Sequence, residues 1–211
     1  MANEIKLNVV KNPLVNHNLA ILRDANTDMQ QFRAAMRVIG YSLAVAISEN
    51  FSTGRKSVVT PLESTDCTVI SDDIVLLPVL RAGLGLLDPF LELLPFAAVG
   101  HIGLQRNEKT LEPEDYYFKS PKNLENRLVL ILDPMLATGG SAAAAVDSLK
   151  KKGANRIVLV SLIAAPEGVR KMNQLFPDVH IYTAALDSHL NEKGYIVPGL
   201  GDAGDRYFGT L

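Results

Sequence analysis

Asp133, Thr138 and Ser141, with Gly139 and Gly140 between the last two, are the residues of this chain best suited to hold an anion. They close the stretch RLVLILDPMLATGGSA at residues 127–142. Residues 128–132 are too apolar and too few for anything but a buried parallel strand, which would deliver Asp133 to the carboxyl edge of a sheet. Open α/β sheets bind their ligands at that edge. Gly139 and Gly140 free the backbone so that successive N–H groups can converge on an anion at the start of the next helix. Thr138 and Ser141 add hydroxyl donors. A helix entry softened by glycine, with no ligand, is the plainer alternative; an ordinary turn seldom needs so polar a sequence beneath a buried strand.

Other candidates are spread along the chain. Residues 78–85, PVLRAGLG, also follow an apolar run, so Arg81 should emerge at the same edge as Asp133; the alternative is an arginine that caps the next helix. Arg106 sits in a polar segment where a lone arginine is usually solvated. Residues 199–204 spell GxGxxG but come too late to open a crossover helix and return strand, so a dinucleotide site is rejected. Tyr195, Tyr207 and Phe208 argue that this tail packs.

The order acid, apolar residues, Thr-Gly-Gly-Ser resembles the phosphoribosyl diphosphate (PRPP) signature of the type I phosphoribosyltransferases. The spelling DPMLATGGS, the loop Arg81-Ala82-Gly83, the segment HIGLQR at 101–106 and the tail YIVPGLGDAGDRYFGT are similar to uracil phosphoribosyltransferases. That resemblance implies a parallel sheet flanked by helices, with a flexible lid hairpin at residues 104–126 and a base-recognition segment at 186–211. It implies that residues 138–141 hold the 5′-phosphate, that Asp133 meets the ribose hydroxyls, and that Pro134, Met135, Leu136 and Ala137 complete the PRPP loop. Arg81 would lie on a pyrophosphate loop whose strained peptide turns N–H groups inward, and Arg106 would close over the same diphosphate with the lid. Ile196, Gly201, Asp202 and Ala203 would line uracil, Asp202 also approaching PRPP; Arg81, Arg106 and Asp202 would be the catalytic residues. Pro134 and Ala137 stand where most type I members carry further acids, and Gln105 where the uracil enzymes carry tyrosine.

The implied reaction converts uracil and PRPP to uridine monophosphate and diphosphate. Magnesium would be bound through PRPP and not directly by protein ligands. Resemblance further implies a homodimer or an assembly of dimers, and some relatives respond to GTP. The alternatives are an RNA-binding pyrimidine attenuation regulator on the same fold, a purine-specific transferase, and a structural phosphate-binding module.

Composition bounds these readings. With 211 residues, 47% hydrophobic and 21% charged, the chain suits one α/β domain with a sizeable core, in which residues 1–50 form an arm and helix. A net charge of −2 without a basic stripe argues against nucleic acid. The cluster Lys150, Lys151 and Lys152 reads as cations at a helix end. A single cysteine, Cys67, excludes an intrachain disulfide and a thiolate zinc site, and the histidines lack ligand spacing. Neither a signal peptide nor an apolar membrane span is apparent, so the cytoplasm is the expected location.

Apolar residues at Phe32, Met36, Ile39, Leu43 and Ile47 predict a helix over 27–49 with one buried stripe. Residues 57–65 read as an edge strand, since Pro61 bars a central position. Strands near 74–77, 97–103, 128–132, 157–163 and 179–183 alternate with helices near 85–94, 141–152 and 166–176, the pattern of a parallel sheet covered on both faces.

Overall fold

The computed structural model of the protein describes residues 6–106 and 113–210, with side chains described except at 105, 106 and 113–115. In chain order the elements begin with β1 (Leu7–Val9), α1 (Pro13–Arg23), α2 (Met29–Ser48), β2 (Thr53–Val59) and β3 (Ser64–Ile70). Then follow β4 (Ile74–Leu80), α3 (Leu84–Leu93), β5 (Ala98–Val99), β6 (His101–Arg106) and β7 (Pro113–Lys119). The signature region comprises β8 (Leu128–Leu132), β9 (Met135–Leu136) and α4 (Gly140–Lys151). Last come β10 (Arg156–Ala164), α5 (Pro166–Leu175), β11 (His180–Leu186), β12 (His189–Leu190), β13 (Ile196–Val197) and α6 (Ala203–Phe208).

The main sheet runs β1-β11-β10-β8-β4-β6-β7, with β5 beside β4 and β9 beside β10. It is parallel except where β6 turns back into β7. Strand β8 lies at its centre, Leu130 opposite Val158 on one side and Leu76 on the other. All five of its residues are buried, because helices cover both faces of the sheet.

Alternation along the strands divides the core in two. Leu76, Leu130, Leu132 and Val160 pack with Phe32, Met36, Ile39 and Leu43 of α2. Leu77, Val129, Ile131 and Leu159 pack with Ala145, Val146 and Leu149 of α4 and Val169 and Met172 of α5. The predicted stripe of α2 is buried along its full length. Asp28 caps that helix by accepting from the Gln31 N–H, and Asn12 caps α1 with Pro13 as the first helical residue.

The edge-strand expectation for 57–65 needs correction. Strands β2 and β3 pair only with each other, as an antiparallel ribbon apart from the main sheet. Pro61 lies in the connecting turn, closed by Thr60 N–H donating to the Glu63 carbonyl at 2.9 Å. Proline's fixed φ and missing donor suit a turn as well as an edge. The lysine cluster ends α4 as expected: Lys150 pairs with Asp178 and Lys151 with Asp147, each at 2.6 Å.

Candidate active site

Because β4 and β8 are parallel neighbours, the loops that leave them emerge side by side at the carboxyl edge. A cavity of about 440 Å³ opens there. Its wall includes Arg81 and Ala82 from the β4 loop, Asp133, Met135, Ala137 and Ser141 from the β8 loop, and Ile196, Gly201, Asp202 and Ala203 from the tail. Three segments remote in sequence therefore share one space.

The β4 loop is pressed against the end of β8. A Cβ on Gly83 would stand 2.2 Å from the Leu132 carbonyl oxygen, so only glycine fits. The Leu80–Arg81 peptide is cis. Arg81 is exposed, donates to Asp205 at 3.3 Å and lies 5.7 Å from the Phe208 ring, so α6 holds the guanidinium at the cavity mouth.

Asp133 leaves β8 with its N–H donating to the Val160 carbonyl. Its carboxyl is pushed up to about 6 by burial, opposed only by a long 3.4 Å bond from the Met135 N–H. No cation faces it among its described hydrogen-bond and ion-pair partners. Such an acid is disposed to exchange its poor surroundings for hydroxyl donors or a bound cation.

Beyond it, β9 pairs with β10 through Met135 opposite Ile163 and Leu136 opposite Ala164, which fixes the loop's underside. Pro134 and Leu136 are buried there, the Pro134 carbonyl accepting from the Leu162 and Ile163 N–H groups and the Leu136 carbonyl from that of Ala165, so both residues brace the loop. Gly139 takes the left-handed conformation, φ 76°, and α4 starts at the next residue. The first N–H groups of that helix have no intrahelical acceptor, and its dipole favours an anion at this end. Thr138 is exposed, its hydroxyl accepting from the Gly140 N–H at 3.3 Å.

The tail closes the other wall. Ile196 is buried on β13, which pairs with β12. Asp202 caps α6 by accepting from the Asp205 N–H at 2.9 Å, and Ala203 is the buried first residue of that helix. Gly194 lies beside the β8 loop: a Cβ built there would stand 3.7 Å from the Thr138 methyl. Arg106 ends β6, whose Ile102 and Gly103 pair with Val79 and Leu80 just before Arg81; its side chain lies outside the described residues.

Sequence reasoning missed several neighbours. Lys193, Gly194 and Tyr195 line the cavity, and their position just before Ile196 was the available signal. Gly168 of α5 packs under the β8 loop, a contact no local pattern announces.

A central parallel strand that delivers an acid, a glycine cradle at a helix start and an arginine loop from the adjacent strand together define the type I phosphoribosyltransferase fold. In keeping with this, a hypoxanthine phosphoribosyltransferase from Staphylococcus aureus superposes with a TM-score of 0.52 at 12% identity, over 80% of this chain and 85% of that one. The chain belongs to the uracil phosphoribosyltransferase family, whose sequence model matches residues 9–210. It is 50% identical to the uracil phosphoribosyltransferase of Ligilactobacillus salivarius, covering 97% of this chain and 99% of that protein. It is 51% identical to that of Thermosipho melanesiensis, covering 98% and 100%. The AQ2163 protein of Aquifex aeolicus superposes with a TM-score of 0.90 at 36% identity, over 96% of this chain and 97% of that one.

Proposed function

We propose that the protein transfers the phosphoribosyl group of PRPP to uracil, releasing diphosphate and forming uridine monophosphate. One observation carries this reading: the cradle, the arginine loop and the tail share a single cavity of about 440 Å³. In this reading residues 138–141 hold the 5′-phosphate, Asp133 the ribose hydroxyls, and Ile196, Gly201, Asp202 and Ala203 the base. The chain acts as one unit, with residues 1–50 as arm and first helices, 104–126 as lid and 186–211 as base segment.

Displacing diphosphate builds positive character on the sugar carbon and negative charge on the leaving group. Arg81 and Arg106 answer that charge, since guanidinium stays protonated and donates to phosphate oxygens in a planar fork. Asp202, between base and sugar, completes the catalytic set. Closure of the lid excludes water that would capture the sugar. For magnesium the donor chemistry fits an ion held through PRPP: diphosphate oxygens and water would supply its ligands, while Asp133 at the cavity wall would hold the ribose hydroxyls and make no direct metal bond. When bound, the ion neutralises charge on the leaving group.

Two features support the rest of the reading. The β2–β3 ribbon ends in exposed Val59 and Leu62, 85% and 95% accessible, an apolar tip suited to a second copy in a dimer. Arg23, Arg127, Lys150, Lys151 and Arg156 are tied to Asp187, Asp73, Asp178, Asp147 and Asp72, which disfavours an RNA-binding regulator. Among the described residues no helix is long and apolar enough to cross a membrane; we assign the enzyme to the cytoplasm.

The test is an assay of each base with PRPP and magnesium, with and without GTP. Uracil should give uridine monophosphate, and cytosine and hypoxanthine little product. Equal turnover of hypoxanthine would sink the base assignment, and an unchanged rate with GTP would remove it as an effector.

A further inference from the structure

The loop that precedes the base-facing residues is gripped from outside the cavity. Asp187, at the end of β11, has a carboxylate only 3% exposed. It accepts from Arg23 of α1 through both oxygens, at 2.9 and 2.5 Å, and from the Gly199 N–H at 3.0 Å. Arg23 donates in turn to the Gly199 carbonyl at 2.8 Å. Both polar groups of one peptide residue are thus held by one buried ion pair. Gly199 itself has φ 65°, a left-handed conformation that leaves few alternatives for the chain on either side.

The next residue is held by the same helix end. Arg206 donates to the Leu200 carbonyl at 2.8 Å, to the Asp24 carbonyl at 2.6 Å and to the Leu22 carbonyl, with its guanidinium 4.5 Å from the Phe32 ring. Behind Asp187 the frame continues: its N–H donates to the Ala164 carbonyl at 2.8 Å, and Ala164 pairs with Leu136 of the PRPP loop. A set of hydrogen bonds therefore runs from Leu136, two residues before the cradle, through Asp187 to Gly199, two residues before Gly201.

We propose that Arg23 and Asp187 are positioning residues for base recognition. Neither lines the cavity; together they set the placement of residues 201–203 relative to the cradle. The base would be read by backbone groups of those residues, whose geometry cannot be corrected by side-chain rotation, so an outer grip decides whether donor and acceptor match. This inference rests on the reading of residues 201–203 as base-facing.

Arg23→Lys keeps a charge beside Asp187 but loses the bidentate fork, and Asp187→Asn keeps the shape but loses the charge. Each should raise the KM for uracil roughly 10–100-fold, the range expected from a displacement of about 1 Å. The Kd for PRPP without uracil, measured by calorimetry, should stay within about twofold, because the cradle is untouched. The double variant should be less than additive in KM, since both changes break one grip. Ala203→Pro serves as control for the underlying reading: proline is tolerated at a first helical position and deletes the N–H offered to the base.

A fall in melting temperature with both substrate constants unchanged would overturn the proposal, leaving the pair a purely structural one. Equal weakening of uracil and PRPP would overturn it too. Where Asp187→Asn fails to fold, Arg23→Lys alone decides, because it leaves no unpaired buried carboxylate. Should Ala203→Pro itself leave uracil use intact, the base-facing reading falls, and this inference with it. Should Ala203→Pro impair uracil use while Arg23→Lys does not, only the grip is wrong.

Discussion

Gly168 on α5 lies so close beneath the loop between β8 and α4 that a Cβ there would stand 2.4 Å from the Ala137 carbonyl oxygen and 3.0 Å from that of Leu136. Helix α5 thus supports the loop by direct backbone contact, which fixes its height above the sheet.

Gly168→Ala should therefore harm the site although alanine favours helix. Overpacking of this kind costs about 1–3 kcal/mol, and the loop must lift to relieve it. We expect a lower melting temperature together with weaker PRPP binding. Gly153, φ 88° with nothing within 4 Å of its Cβ, is the comparison. Gly153→Ala should cost about 1 kcal/mol through backbone strain and leave PRPP affinity unchanged; identical effects of the two changes on affinity would refute the role of α5.

Asp133 makes stability depend on pH in a direction opposite to most carboxylates. Its folded value of about 6 lies above the ordinary 3.8. Between those values the folded protein holds more protons than the unfolded chain, so this group's contribution falls as pH rises through the window and is level above it. Asp133→Asn should match the wild type near pH 4 and, without ligand, exceed it by about 1–2 kcal/mol at pH 7, discounted because the residue keeps an open side toward the cavity. Its kcat/KM should fall nonetheless. Denaturant titrations at a series of pH values check this, and a gap that does not change with pH would exclude burial as the cause.

Arg81→Ala should separate chemistry from folding. The Asp205 contact is exposed, with side chains 58% and 35% accessible, so its loss should hardly move the melting temperature. Loss of a strong donor to the developing charge should lower kcat/KM by roughly 10²–10³-fold. Kinetics equal to wild type in the folded variant would remove Arg81 from the diphosphate subsite.

Thr138→Ala tests the cradle in the binary complex. Removing one hydroxyl donor from a bound phosphate should raise the Kd for PRPP by roughly 3–10-fold, even without uracil. Calorimetric titration gives the answer; unchanged PRPP affinity would place the 5′-phosphate elsewhere.

Much of this molecule is legible in its amino-acid sequence because the signals are short-range. The apolar run at residues 128–132 dictates a doubly covered strand, and Gly139 a left-handed step into α4. The stripe from Phe32 to Ile47 dictates a buried helix face. The 57–65 segment was misread because proline's local chemistry suits a turn and an edge alike, and only partner choice separates them. What tertiary structure alone decided is which distant groups meet: Arg81 with Asp205, Gly168 with Ala137, and Arg23 with Asp187 and Gly199. Those meetings follow from how strands order themselves and helices pack across them, long-range choices made by burial over the whole core, which no window of neighbouring residues encodes.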